Sequence, residues 1–275
     1  MSKINSYDFL FNSSFSRFVG NPHQKLISSS QELSNFISAN NGINPCFVTL
    51  NSFTQQYTIA RTVFNDFDAE FNLTCNKCGT KIKESSTPFC FCGNRSSFTP
   101  EDQYSRLQKV YEKIRQAQQL YRAYQEYNIT PVAHFTAYKG CHVFPLFKPE
   151  MVTDSTLITN LFYYFIEQAK TYSVQEVKDV EGKTTKLKVP YQDTVVSSDL
   201  RRLCRIPGTQ RIENKLYCTA IPDFLSYEPE EIYVMAKNPH PSIEVPEPKT
   251  KMSEFEFTPV DVTKFRPNNT SSSVI

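Results

Sequence analysis

The chain has 275 residues, 39% of them hydrophobic and 21% charged, with 30 Lys and Arg set against 28 Asp and Glu. That length and apolar share support a packed core and exclude a wholly disordered chain. A formal net charge of +2 excludes a global basic field, so any grip on nucleic acid must come from local clusters of Lys and Arg.

No run approaches the roughly 18 apolar residues of a spanning helix, and Met1–Phe11 lacks a secretion-signal pattern. The expectation is a cytoplasmic protein with no membrane partner, whose eight cysteines are thiols or metal ligands instead of disulfides.

Residues 1–45 are rich in Ser, Asn and Phe, and their spacing predicts one helix near Gln31–Ala39. Cys46–Leu50 and Tyr57–Phe64 predict two strands, the second continuing into Asn65-Asp66-Phe67-Asp68. A strand repeats its side-chain direction every second residue, so Asp66 and Asp68 project from one face. Carboxylates held side by side repel unless a divalent cation or a shared proton intervenes.

Residues 72–98 carry Cys75-x-x-Cys78-Gly79 and Cys90-x-Cys92-Gly93. Two short turns, each presenting two thiolates, supply the tetrahedral ligand set of zinc. The alternative is a pair of disulfides or free buried thiols; a closed four-thiolate zinc site is structural, expected to stiffen this excursion and do no chemistry. Lys77, Lys81, Lys83 and Arg95 on it are either contacts to a phosphate backbone or ordinary solvated surface.

Thr99-Pro100-Glu101-Asp102 predicts a helix start, an N-cap followed by Pro at the first position. Leu107, Val110, Tyr111, Ile114, Leu120, Tyr121 and Tyr124 then recur at helical spacing to about Tyr127. Pro131–Phe135 and Cys141–Phe147 predict strands joined by a tight turn. In that turn Gly140 lets a backbone amide approach an anion and Lys139 adds a point charge, and His142 is either a donor to a phosphate oxygen or a satisfied core residue of the strand.

Asp154–Ala169 predicts a second helix, and residues 173–192 a solvated hairpin around Gly182. Asp199 is followed by Arg201, Arg202 and Arg205. This is either local ion pairing or a third metal ligand flanked by guanidiniums whose planar forks match phosphate oxygens. Pro207-Gly208 makes a sharp turn offering backbone amides and the Thr209 hydroxyl. From about Asn238 the chain is rich in Pro and Glu. The expected organisation is a domain over 1–237, with its metal insertion at 72–98, and a poorly ordered wrap or linker over 238–275.

Together these stretches resemble the catalytic subunit of archaeo-eukaryotic primases and the related primase-polymerases of plasmids and viruses. The family's first motif, an Arg a few residues ahead of a strand-borne Asp-x-Asp, is matched by Arg61, Asp66 and Asp68. Thr136-Ala137-Tyr138-Lys139-Gly140-Cys141-His142 follows the second, Ser-Gly-x-Arg-Gly-x-His, with departures at Thr136, Ala137 and Lys139. The third, an Asp followed by Arg-Arg-Leu-x-Arg-x-Pro-Gly-Ser, is matched from Asp199 to Thr209. Members commonly insert a zinc knuckle between the first two motifs, where residues 75–92 lie. The resemblance covers residues 57–215. One departure stands out: Gln210–Lys215 replaces the His-Gly-Lys-Thr-like run of cellular small subunits, with Arg211 as its substitute. That fits an enzyme encoded by a virus or plasmid.

The resemblance implies an α/β (α+β) fold, a mixed sheet with an RRM-like catalytic half flanked by helices and an inserted zinc knuckle. It implies template-directed nucleotidyl transfer that makes primers on single-stranded DNA from nucleoside triphosphates. Asp66, Asp68 and Asp199 would hold two Mg2+ or Mn2+ ions. Lys139, His142 and Arg205 would neutralise the triphosphate, assisted by Arg201, Arg202 and Arg211, with Thr136 and Thr209 hydrogen-bonded to phosphate oxygens. The chain has no P-loop of its own; it works either alone or with a large primase subunit or a helicase as partner. Two rival readings use the same residues: a metal-dependent nuclease, and a non-catalytic zinc-containing nucleic-acid-binding replication protein. The nuclease leaves the Arg-Arg-Leu-x-Arg-x-Pro-Gly run unexplained.

Overall fold

The structure is a computed structural model and describes residues 16–20, 23–54, 57–178, 182–197, 199–238 and 247–266. The first strands are β1 (Arg17–Val19) and β2 (Lys25–Ile27), followed by helix α1 (Ser30–Asn40), which Ser29 caps by accepting the Glu32 amide. Next come β3 (Phe47–Thr49), β4 (Ser52–Phe53), β5 (Thr58–Thr62) and β6 (Asn65–Asp68). The metal insertion forms β7 (Asn72–Cys75), β8 (Lys81–Lys83) and β9 (Phe98–Pro100), and leads into the long helix α2 (Gln103–Glu126).

Strands β10 (Thr130–Phe135) and β11 (Gly140–Val152) precede helix α3 (Thr156–Ala169). The predicted hairpin is β12 (Tyr172–Lys178) with β13 (Thr184–Pro190). A single turn α4 (Thr194–Ser197), β14 (Leu203–Arg205), β15 (Thr219–Ile221) and α5 (Pro229–Met235) complete the named elements.

The run from Pro131 to Phe147 is apolar at almost every position because β10 and β11 are covered on both faces. They lie at the centre of a six-stranded sheet, ordered β15-β10-β11-β5-β4, with β6 on β11 beside β5. One face carries Ala133, Phe135, Val143 and Phe147 against α2 and α3, through Ile114, Leu120, Phe162 and Phe165. The other face carries Val132, Phe144 and Leu146. That face packs on the second sheet, ordered β14-β3-β1-β2, and on α1 through Val48, Leu33 and Ile37. Alternation along each strand thus divides the apolar residues between two cores. No helix among the described residues is long and apolar enough to cross a membrane.

Three expectations need correction. The strand pairs are antiparallel throughout among the named strands, so the mixed sheet resolves into several antiparallel ones. The short turn between β10 and β11 allows no other pairing there. Thr99 and Pro100 are strand residues, paired with Thr74 and Leu73. The helix starts later, where the Asp102 carboxylate accepts the Ser105 amide at 2.9 Å. Finally, residues 247–266 are packed onto the domain. Met252 is fully buried, Phe255 lies 5.4 Å from Phe165 ring to ring, and Glu150 accepts both the amide and the hydroxyl of Ser253. The rest of the predicted tail, 239–246 and 267–275, lies outside the described residues.

Candidate active site and metal centre

β5 and β6 are two pieces of one line along β11, broken at Val63–Phe64. The Asn65 amide fastens the break by donating to Val63 O, Val143 O and the Tyr124 hydroxyl at 3.0–3.3 Å. Asn65 and Phe67 thereby face the helices. Phe64, Asp66 and Asp68 face the seam between the two sheets, where the Phe64 ring meets His142 at 4.9 Å and Phe144 at 5.7 Å. β11 sets His142 opposite Asp66 and Gly140 opposite Asp68.

From across the seam, β14 and its approach contribute Arg202, Leu203 and Arg205. Together with Phe47, Thr136, Tyr138, Lys139 and Arg211, these residues line a cleft of about 320 Å³. A larger cavity of about 530 Å³ lies at the far end of α2, where Gln125, Asn128, Phe147 and Lys249 line it with no such concentration of charge.

Two carboxylates and four cations share the cleft. Burial pushes the Asp66 carboxyl well above the usual range, and the charges of Asp68 and Asp193 push it further. Burial also raises Asp68, against the pull of Lys139, Arg211, Arg202 and Lys113. Asp66 Oδ1 stands 3.6 Å from His142 Nε2, and Oδ2 stands 3.7 Å from the Arg202 guanidinium. Neither is hydrogen-bond distance, and the buried Oδ1 has no hydrogen-bond partner among the described residues. An orphaned carboxylate oxygen beside a second carboxylate fits a divalent cation. An open carboxylate pair suits Mg2+ or Mn2+, because such ions keep water and phosphate oxygens among their ligands.

His142 is driven well below its ordinary value by burial, then by His134, Arg202 and Arg205, so its imidazole is neutral. It faces Asp66 as a neutral neighbour and adds no positive charge for an anion. The cations are backed by rings: Arg211 lies 4.7 Å over Tyr138, Lys139 5.5 Å over the same ring, and Arg205 5.5 Å over Phe47. Arg205 is buried and donates to Gln210 O at 3.2 Å. Thr136 lines the cleft, but its hydroxyl donates to Gly140 O at 3.0 Å.

Four expected participants stand elsewhere. Asp199 is exposed and does not line the cleft. Its carboxylate accepts the Arg201 amide at 2.8 Å and its carbonyl accepts the Arg202 amide at 3.1 Å, so it shapes the turn into β14. Arg201 is exposed, and Thr209 is buried with its hydroxyl donating to Ile206 O. Arg61 lies on β5, where its charge acts on the buried Arg17.

Two residues that sequence patterns did not single out belong near the pair. Asp193 is buried, its amide donates to Asp66 O at 3.0 Å, and its charge is felt at Asp66. In the sequence it looks like an ordinary cap before the single turn α4. Lys113 on α2 donates to Tyr191 O at 2.8 Å and lowers both Asp66 and Asp68. Its position reads as the polar side of an amphipathic helix.

The cysteine cluster is a separate centre. The donor atoms of Cys75, Cys78, Cys90 and Cys92 all lie within 4.8 Å of one another. Sγ–Sγ separations of 3.6 Å for Cys75–Cys92 and 3.4 Å for Cys78–Cys90 approach the roughly 3.8 Å edge of a tetrahedron with ~2.3 Å Zn–S bonds. The Asn94 amide, donating to Cys75 Sγ at 3.2 Å, lowers that thiol to about 6 and favours the thiolate. Gly79 and Gly93 close the two turns at φ of 74° and 85°. The four cysteines form a cluster suited to one structural metal ion. They are the only such group of three or more His, Cys, Asp or Glu among the described residues, so the cleft carboxylates form no comparably closed site.

No protein-family profile matches the chain, and no curated protein matches it significantly.

Proposed function

We propose that this chain is a template-directed nucleotidyltransferase that makes primers on single-stranded DNA, a member of the archaeo-eukaryotic primase superfamily with an RRM-like catalytic half. The observation that carries this reading is the pairing of Asp66 and Asp68 with Lys139, Arg202, Arg205 and Arg211 around one cleft. Carboxylates for divalent ions, beside four cations, match a metal-bound triphosphate. A nuclease would need the carboxylates and has less use for so many cations.

Asp66 and Asp68 would hold Mg2+ or Mn2+; Asp193 lines the cleft no more than Asp199 does, but its charge is felt at Asp66, which makes it the nearer candidate for a third carboxylate. Ions bound there supply charge stabilisation at the attacking 3′-hydroxyl and at the departing pyrophosphate. Lys139, Arg202, Arg205 and Arg211 orient the triphosphate, and their aromatic backing fixes those long side chains in advance. His142, neutral and packed against Phe64 and Phe144, stands 3.6 Å from the Asp66 carboxyl without a hydrogen bond to it and walls that side of the cleft. Zn2+ in the cysteine centre would keep the insertion rigid.

The test is incorporation of labelled rNTPs or dNTPs on a single-stranded template with Mn2+. Asp68→Asn should abolish incorporation without altering the circular dichroism spectrum. Retained incorporation overturns the site, and cutting of DNA without nucleoside triphosphates turns the reading to a nuclease.

A further inference from the structure

Phe91 is 96% exposed and Phe89 48%. Neither contributes to a core. We infer that the tip of the metal module binds single-stranded nucleic acid, stacking bases on Phe91 and Phe89 while Arg95, Lys77 and Lys81 engage phosphates. As a grip on template this rests on the nucleotidyl-transfer reading; as a binding surface it stands on its own geometry.

Phe91 lies between Cys90 and Cys92, two members of the metal cluster, and the Gly93 amide closes the turn onto Cys90 O at 2.8 Å. Its backbone is therefore fixed from both sides, and a base that stacks on it meets a ring already held out. The two rings meet edge to face at 6.1 Å and 75°, a contact that still leaves Phe91 almost wholly open. Arg95 lies 5.3 Å over one face of Phe89, which places a guanidinium on that ring and leaves the open Phe91 as the principal stacking surface. Lys77 is tethered to the same turn by its bond to Cys92 O at 3.2 Å.

The charge around the rings is of one sign. Between Cys75 and Ser97 the sequence has a single acid, Glu84, and Arg106 holds it at 2.8 Å. Lys77, Lys81 and Arg95 have no carboxylate within 4.0 Å among the described residues. Exposed rings inside an uncompensated basic patch are what a strand with open base faces and a charged backbone requires. A second copy of the chain fits poorly. Two rings bury about 150–250 Å² each, against ~800 Å² per partner in a stable interface, and two basic tips repel.

The test is fluorescence anisotropy of labelled oligo-dT, oligo-U and a DNA duplex with the full-length, zinc-loaded protein. Phe91→Ala should weaken binding to both single strands by about 5–150-fold, with zinc content and thermal midpoint unchanged. Phe91→Tyr should bind like the parent, and Arg95→Gln should lower the slope of log K against log salt by about 0.7. Unchanged single-strand affinity in Phe91→Ala overturns the inference. So does an equal loss on duplex, or a role for Phe91 only in self-association or in binding anionic vesicles. Asp68→Asn, which removes the proposed chemistry, should bind strands normally. Phe91-dependent binding by a parent that incorporates no nucleotide would sink the catalytic reading alone.

Discussion

His142 and Asp66 are cross-strand neighbours in the β11–β6 pair, and their facing atoms stand 3.6 Å apart. Burial raises the carboxyl and lowers the imidazole, so each is biased to its uncharged form. A carboxyl raised in the folded state retains a proton that the unfolded chain releases. Stability is therefore lost as pH rises from the ordinary carboxylate range through the raised value. The lowered imidazole has the opposite sign below its ordinary 6.5. Without added Mg2+ or Mn2+, the carboxyls therefore show as a thermal midpoint that falls more, or rises less, across that window than in Asp68→Asn. Added Mn2+ should restore it, most strongly at the higher pH, and Asp68→Asn should weaken both trends. A midpoint indifferent to Mn2+ at pH 8 would contradict a cation site.

Asp193 and Asp199 offer a direct contest. Asp193 is buried beside Asp66, while Asp199 is exposed and occupied with the turn into β14. Asp193→Asn should reduce incorporation by at least about 100-fold, whereas Asp199→Asn should leave it within a few-fold of the parent. Steady-state assays on the two purified variants decide, and the opposite ranking would reinstate Asp199.

Gly140 has no space for a side chain: a Cβ there would lie 1.6 Å from Phe67 O. Gly140→Ala should push β6 away from β11, costing about 2 kcal/mol or more and displacing Asp68. Urea unfolding measures the first effect, and loss of the Mn2+-dependent rise in midpoint measures the second.

Ala137 presents the reverse case. It adopts φ of 67° while fully buried, a left-handed backbone that suits glycine. Ala137→Gly should stabilise the protein by roughly 0.5–1 kcal/mol, provided Asn214 keeps its bond to Ala137 O. A loss of stability in urea titration would show that the methyl group's packing outweighs the strain.

Removing zinc should unpin β7, β8 and β9 without opening the six-stranded sheet, whose core lies elsewhere. Hydrogen exchange after chelation should quicken in residues 72–98 and stay slow in β10 and β11. Uniform acceleration across the chain would mean that the module supports the whole fold.

Local signals were readable in the sequence, and distant ones were not. The Cys-Gly spacing, the Asp66–Asp68 alternation and the apolar face of α2 each express a short-range period. The backbone link from Asp193 to Asp66 spans 127 positions and leaves no local mark, so the sequence pattern singled out Asp199 and passed over Asp193. Thr99-Pro100 carried a helix-start signal that pairing with β7 overrode. Pro and Glu made residues 247–266 look loose, although Met252, Phe255 and Phe265 are enough to dock them.

The metal module passes directly into α2: β9 ends at Pro100 and the helix begins at Gln103. Glu84–Arg106 and Glu101–Lys109 ion pairs at 2.8 and 2.7 Å fasten the first turns to the insertion. Lys113 follows ten positions after Gln103, a rise of about 15 Å. The helix is thus a strut of set length whose near end is bolted to the cysteine turret and whose middle borders the carboxylates. The chain adds a second tie on the other side, since Asn72 of β7 follows Asp68 of β6 by only four positions, so the two centres are braced by two routes and neither can swing without the other.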